Sequence, residues 1–144
     1  MILIDGLCRN CDKHVQMFVG QSVFDKKVVW HLCYDCHNCG EAIELDNDAM
    51  PNKMREEILA KEGTWNLIVL EKEQRATVVT KILRDTMSLS LASAMKLKKK
   101  IPGSVFIGTK SETNRLKQLL AAEGLKASIS RSVATIGVAD RIGL

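Results

Sequence analysis

The chain has 144 residues, of which 46% are hydrophobic and 26% are charged, and its formal net charge is +4. These values fit a globular protein with one ordinary core or two small ones, and they exclude a mainly disordered chain. The mean hydropathy is -0.03, and no apolar run is long enough for a secretory signal or a membrane span. We therefore predict a cytoplasmic protein with no membrane partner.

All five cysteines of the chain fall within its first 39 residues. Two Cys-x-x-Cys pairs separated by about two dozen residues are the ligand pattern of one tetrahedral zinc ion. A disulfide framework is the alternative, but the number of cysteines is odd and a reducing cytoplasm favours a metal. We predict a single structural Zn²⁺.

The second ligand pair is open, because Cys36 can pair with either Cys33 or Cys39. We favour Cys39, since Gly40 directly behind it allows a positive φ where the chain turns back. Cys33 then becomes a spare thiol, although Cys33 or His31 could replace one of the assigned ligands. The predicted metal ligands are Cys8, Cys11, Cys36 and Cys39.

Two short stretches around these cysteines resemble known zinc modules. Tyr34-x-Cys36-x-x-Cys39-Gly40 resembles the second knuckle of a zinc ribbon. The stretch from Trp30 to Cys39 is similar to the middle of a LIM domain, but the terminal ligand pair of that domain is absent. The resemblance implies a small β module around one zinc ion.

Short β strands are expected around the metal, followed by a helix. Alternating or β-branched residues predict strands at residues 15–19, 28–32 and 41–45, with turns at residues 20–22 and 25–27. Pro51 is suited to the first position of a helix, and the spacing of Met54 and Ile58 extends that helix to residue 61. We assign residues 1–45 to a zinc ribbon and residues 46–63 to a connector helix.

From residue 64 onward the sequence predicts six elements in this order: a strand, two helices, a segment that is either a strand or a loop, a third helix and a last strand. The first helix ends near Ser88, and Pro102 stops the second. Thr109 or Ser111 caps the third helix, which Gly124 ends. The first and last strands are predicted at residues 65–70 and 125–130. The predicted fold class is α+β: a small zinc ribbon, an α/β module of three helices on a small sheet at residues 64–131, and a tail at residues 132–144.

The order of these elements and several residues resemble the C-terminal domain of the bacterial ribosomal stalk protein, whose fold is shared with the Clp protease adaptor. The matching residues include Lys81, Arg84, Leu89, Leu91, Ala94, Pro102, Glu112, Leu116, Leu120, Gly124 and Lys126. In that family the first two helices recruit translation GTPases through basic and aliphatic residues. The positions that match this surface are Val78, Val79, Lys81, Arg84 and Met95. The glycine-rich helix junction of the family is replaced here by residues 85–90, which contain no glycine.

Charge is distributed unevenly along the chain. Residues 1–45 and residues 46–63 each have a balance of −2, whereas residues 64–131 contain thirteen Lys or Arg and five Asp or Glu, a balance of +8. A surface that meets an acidic partner is therefore expected in the second module. The acidic zinc ribbon argues against a nucleic-acid-binding ribbon.

These features favour a non-enzymatic adaptor that binds another protein. One concrete form is an immunity (anti-toxin) protein whose acidic ribbon caps a basic or nucleic-acid-binding enzyme. The alternative is a ribosome- or nucleic-acid-associated factor that places Lys81, Arg84 and the lysines of residues 96–100 on phosphates. Catalysis is not expected, because the sequence contains neither a phosphate-binding glycine loop nor a Gly-x-Ser-x-Gly motif.

Overall fold

The computed structural model describes residues 1–132, which fall into two compact units. The first unit is Met1–Glu62, and the second begins at Gly63. The described residues form four helices and two antiparallel sheets, which confirms the predicted α+β class. Apart from Ser132, the predicted tail lies outside the described residues. No helix among residues 1–132 is both long enough and apolar enough to cross a bilayer.

The first unit is a four-stranded antiparallel meander with one helix packed on it. Its strands are β1 (Ile2–Leu7), β2 (His14–Phe24), β3 (Lys27–Asp35) and β4 (Ala42–Asn47), and they lie side by side in chain order. Helix α1 (Asn52–Glu62) follows. Alternate residues of the strands, among them Val19, Trp30 and Leu32, are buried in one core with Ile58 of α1. The core therefore lies between one face of the sheet and the helix.

The first unit differs from the prediction in its strands and turns. The chain begins with a strand, β1, which the sequence analysis did not include. The turn predicted at residues 20–22 is wrong, because these residues lie inside β2 and Gly20 pairs with His31. A Cβ on Gly20 would lie 2.9 Å from Cγ of Met1, so the exposed Met1 side chain would have to shift to accommodate it. The turn after Phe24 does form, as a two-residue hairpin turn with positive φ at Asp25 and Lys26.

Helix α1 was assigned to a separate connector, and the structure places it within the first unit. Asp46 and Asn47 complete β4 by pairing with β3. Ile58 is buried in the core of the sheet, and Met50 and Met54 pack against that core. The first unit therefore extends to Glu62, because the apolar face of the helix covers one side of the sheet.

The second unit consists of a three-stranded sheet and three helices. Its elements are β5 (Trp65–Val69), a 3₁₀ turn (Glu73–Arg75), α2 (Ala76–Met87), α3 (Leu91–Lys98), β6 (Gly103–Gly108), α4 (Lys110–Ala122) and β7 (Ala127–Arg131). Strand β5 lies in the centre and pairs antiparallel with β6 and β7. The segment predicted as strand or loop is strand β6. Leu67, Leu83 and Leu120 are fully buried in the core between these elements.

The helix ends of the second unit follow local sequence signals. Thr109, rather than Ser111, caps α4 and forms a reciprocal capping box with Glu112. Gly124 follows α4 with a φ of 72°, as expected for a glycine at a helix C-terminus. Ser88 ends α2 in the left-handed region with a φ of 53°, a conformation that glycine more often adopts.

Candidate metal centre

Four cysteines converge at one end of the first sheet. Cys8 and Cys11 lie in the β1–β2 connection, and Cys36 and Cys39 lie in the β3–β4 connection. Their four Sγ atoms all lie within 4.8 Å of one another. The Sγ–Sγ distance is 3.6 Å for both Cys8–Cys39 and Cys11–Cys36. Tetrahedral coordination with Zn–S bonds of about 2.3 Å requires sulfur atoms about 3.8 Å apart, so the cluster has the dimensions of a four-thiolate site.

Cys33 is not part of the cluster. It lies in β3, where it is opposite Phe18 of β2 and Glu44 of β4. Its neighbour Tyr34 points into the core, so Cys33 lies on the other face of the sheet. The second pair of clustered cysteines is therefore Cys36 and Cys39, and among the described residues no histidine belongs to the group.

The two cysteine loops have the same backbone construction. In the first, Cys8 N donates to Lys13 O and Asp12 N donates to Cys8 O. In the second, Cys36 N donates to Glu41 O and Gly40 N donates to Cys36 O. The residue after each pair is left-handed, with a φ of 60° at Asp12 and 80° at Gly40. The positive φ predicted for Gly40 is confirmed, and its counterpart is an Asp, a residue that tolerates this conformation.

Each loop also supplies an asparagine to a cysteine of the other loop. The Asn38 side chain hydrogen-bonds the Cys11 thiol and lowers its pKa, helped by a backbone contact from Lys13. The Asn10 side chain does the same for Cys39 and lowers its pKa. The two asparagines were not among the predicted site residues, although the sequence contains a signal for them, because both motifs read Cys-x-Asn-Cys. The amides favour the thiolate form that binds metal.

Burial acts in the opposite direction on Cys36. Backbone N–H groups of Cys39 and Asn38 lower its pKa, but burial and the neighbouring thiols outweigh them and raise the pKa to about 11. A metal ion reverses this balance, because its positive charge stabilises the coordinated thiolate. The residues therefore fit a soft cation better than four neutral thiols packed together.

The loops are linked to the sheet by polar contacts. Arg9 N donates to the Tyr34 hydroxyl at 3.2 Å, and Arg9 Nε forms an ion pair with Glu41 Oε1 at 2.6 Å. Tyr34 is the aromatic residue two positions before Cys36. These contacts connect the first loop to β3 and to the end of the second loop.

The predicted partner-binding residues divide between the surface and the core of the second unit. Val78, Lys81, Arg84 and Met95 are exposed on α2 and α3. The assignment of Val79 to a contact surface is wrong, because Val79 is fully buried. Leu91, at the start of α3, is more than half exposed and was not assigned. We use "α2–α3 surface" for the exposed set Val78, Lys81, Arg84, Leu91 and Met95.

A second polar arrangement lies on the first sheet, away from its core. Ser22 Oγ lies 2.7 Å from His31 Nε2, and His31 Nδ1 lies 2.6 Å from Asp46 Oδ1. The sequence contains no local signal for it, because the three residues come from three strands and meet only through the sheet register. Gly20, His31 and Asp46 occupy one row across the sheet. Ser22 lies two residues after Gly20 in β2, on the same face of the sheet.

Comparison with known proteins provides no relative from which to transfer a function. No protein-family model, no curated protein and no solved structure matches the chain. The resemblances to zinc ribbons and to the ribosomal stalk protein therefore stay predictions.

Proposed function

We propose that this chain is a non-enzymatic, cytoplasmic adaptor that binds another protein and contains one structural zinc ion. One concrete form of such an adaptor is an immunity (anti-toxin) protein. The observation that carries the binding role is the α2–α3 surface, on which apolar side chains are exposed beside basic ones. The zinc-stabilised first unit supplies a second, acidic surface.

Zinc is the metal best suited to the cysteine cluster. Thiolate ligands select Zn²⁺, Cu(I) or iron–sulfur clusters, and a compact set of four sulfurs suits a single tetrahedral ion. Four protein ligands leave no open coordination position, so the role of the ion is structural rather than catalytic. Elemental analysis of the purified chain should find one zinc per chain. Stoichiometric iron with sulfide would contradict this assignment.

The α2–α3 surface has the composition of a protein-binding patch. Val78, Leu91 and Met95 are each at least half exposed, although residues of this kind are usually buried. Lys81 and Arg84 lie three positions apart on α2, and therefore on one side of the helix. The Arg84 side chain is also held in place, since its Nε donates to Leu89 O at 3.3 Å. Apolar anchors beside oriented cations favour a partner with an acidic rim.

Site-specific photo-cross-linking tests this role. A photoreactive amino acid at Val78 should capture a partner in cells, whereas the same group at the exposed Lys117 of α4 should not. The captured protein is then purified and its binding to the chain is measured. The double variant Lys81→Glu, Arg84→Glu should slow association and reduce the salt dependence, because surface charges steer the encounter. Unchanged association in this variant would contradict the proposed surface.

The nucleic-acid alternative depends on the end of α3. Lys96, Lys98, Lys99 and Lys100 are all exposed there. We expect weak, non-selective binding to duplex RNA or DNA, because the concentrated charge is confined to one helix end. A titration series should give a log–log salt slope of roughly −0.9 per neutralised phosphate. Selective nanomolar binding at physiological salt would support the alternative instead.

The non-enzymatic part of the proposal concerns Ser22, His31 and Asp46, whose connectivity is that of a nucleophile, a base and an orienting carboxylate. The Asp46 side chain is 68% exposed and that of His31 is 34% exposed, whereas the carboxylate of a working triad is buried. Phe24 and Lys27 flank a two-residue turn and form a hydrogen-bonded pair, so the next hydrogen-bonded pair of the ladder is Ser22 with Val29. The N–H of Ser22 therefore points towards β3 and is not available to stabilise an oxyanion. We therefore interpret the arrangement as a cross-strand link. If a fluorophosphonate labels the protein and this labelling is lost in Ser22→Ala, Ser22 is a reactive nucleophile and the non-enzymatic interpretation is wrong.

A further inference from the structure

The face of the first sheet opposite α1 has no covering element within that unit. We call it the open face. Its residues alternate with the core residues along each strand, and the register aligns Leu3, Phe18, Cys33 and Glu44 in one row across all four strands. The helix and the core side chains all lie on the other face. The open face is thus a continuous surface built from four paired strands.

The centre of the open face is apolar. Leu3 is 42% exposed and its cross-strand neighbour Phe18 is 47% exposed, while Leu7, 53% exposed, lies at the end of β1 beyond Asp5. An antiparallel sheet with one solvated face normally has polar residues at such positions. Exposed apolar side chains that adjoin one another, as Leu3 and Phe18 do across paired strands, mark an interaction site more often than scattered ones do.

Acidic side chains surround this centre. On the open face, alternation places Asp5 in β1, Asp35 in β3, and Glu44 and Asp46 in β4, and all four are exposed. Lys27 is the one lysine or arginine at an open-face position of the four strands. The whole first unit has the same sign, with seven Lys or Arg and eleven Asp or Glu between residues 1 and 62. An apolar centre with a charged rim is the usual anatomy of a protein–protein interface.

Two of the four rim carboxylates are already held in position. Asp5 Oδ1 accepts from Gln16 Nε2 at 2.8 Å, and Asp46 Oδ1 is 2.6 Å from His31 Nδ1. Ser22 in turn bonds to His31. Side chains that are ordered before binding lose less conformational entropy when a partner docks. The cross-strand link described above therefore serves to orient a rim charge.

We propose that the open face docks a basic surface of a partner protein, with Phe18 and Leu3 as apolar anchors and the four carboxylates as the complementary rim. The inference rests on the adaptor function proposed above and names the partner chemistry for the first unit. The negative charge of the rim disfavours nucleic acid as the partner, because the carboxylates repel phosphate groups. It favours a cationic protein surface, such as that of an enzyme that itself binds nucleic acid.

The test uses the full, metal-loaded chain labelled with ¹⁵N and two synthetic amphipathic peptides of the same pattern, one of leucine and lysine and the other of leucine and glutamate. Titration with the Leu–Lys peptide should shift the amide resonances of Leu3, Phe18 and Glu44, and the effect should weaken with salt. The Leu–Glu peptide should leave these resonances unchanged. Phe18→Ser should reduce the affinity for the Leu–Lys peptide about tenfold, and Glu44→Lys should reduce it further.

Leu70→Ser is the matched control, since it removes an exposed leucine of the second unit that lies outside the α2–α3 surface and should leave the affinity unchanged. Zinc content and dispersed spectra show that each variant remains folded. Several results would overturn the inference: shifts confined to the α2–α3 surface, full affinity in Phe18→Ser, concentration-dependent self-association through the open face, or shifts of these resonances by duplex RNA. If a partner captured from Val78 binds independently of Phe18, the proposed function stands and this inference fails.

Discussion

The two units of the chain are stabilised by different means. The second unit encloses eleven buried aliphatic residues drawn from its strands, its helices and the connections between them. The buried cluster of the first unit has ten residues, and two of them are the cysteines Cys8 and Cys36. In the first unit, therefore, two residues of the four-cysteine cluster that could hold a metal ion also fill one end of the core. We therefore expect the first unit, a small sheet covered by one helix, to need the proposed metal for stability, whereas burial alone should stabilise the second unit.

Loss of the metal should have the largest effect and should separate the units. Binding of zinc by four thiolates contributes about 10 kcal/mol to folding in small zinc domains. Cys8→Ser, Cys39→Ser or treatment with a chelator should therefore unfold the first unit, while residues 64–131 keep their helices. Two-dimensional NMR, with metal content measured in parallel, would follow both units in one sample.

Cys33→Ser is the control for this experiment, because it removes a cysteine that lies outside the cluster. It should leave zinc content and the spectrum of the first unit nearly unchanged. Full zinc content in both Cys8→Ser and Cys39→Ser would contradict the ligand assignment.

A cavity in the core of the second unit should destabilise that unit and leave the first unit intact. Leu83 is fully buried on α2, and replacing such a leucine with alanine costs about 2–5 kcal/mol. Leu83→Ala should lower the denaturant midpoint of the second unit and leave zinc content unchanged. Loss of zinc in this variant would show that the units do not unfold separately.

The two cysteine loops offer a paired test of backbone strain. Gly40→Ala should destabilise the first unit by about 1–2 kcal/mol, because alanine disfavours the left-handed region. The space around Gly40 is open, with no atom within 4 Å of an added Cβ, so strain is the sole expected cause. Asp12→Gly, at the equivalent position, should be neutral or slightly stabilising. Thermal denaturation of the zinc-loaded variants measures both effects.

The smallest expected effect concerns the acid limit of metal binding. Asn38 and Asn10 lower the pKa values of Cys11 and Cys39, so these thiolates persist to lower pH and their contribution is lost as the pH falls through the lowered pKa values. Asn38→Ala should raise the pH midpoint of zinc release by about half a pH unit. Asn47→Ala in β4 is the control. A midpoint that moves equally in both variants would contradict the role of Asn38.

The four-cysteine cluster was largely predictable because its members lie in short local motifs. Two Cys-x-x-Cys pairs define two tight loops, and Gly40 indicated which cysteine ends the second. The exchange of Asn10 and Asn38 between loops was not predicted, since it depends on how the loops face each other. Strand β1 was missed because Ile2, Leu3 and Ile4 form an apolar run that is too short to distinguish a strand from other structures.

The order of elements in the second unit was also predictable, but its surface was less so. Helical periodicity and end signals place the helices, because capping residues such as Thr109 act locally. Val78 and Val79 are neighbours about 100° apart around the helix. Which of them faces the core depends on the elements packed against α2, and the sequence analysis assigned both to the surface.

The β2–β3 hairpin extends beyond its neighbour, because the pairing of β1 with β2 ends at Ile2 and Val19. The cysteine loops lie at one end of the sheet and the hairpin turn at Asp25 and Lys26 lies at the other. Backbone amides should therefore exchange with deuterium along a gradient, slowly beside the cysteines and rapidly near the turn. A protease that cuts the folded protein within the first unit should act first at this tip.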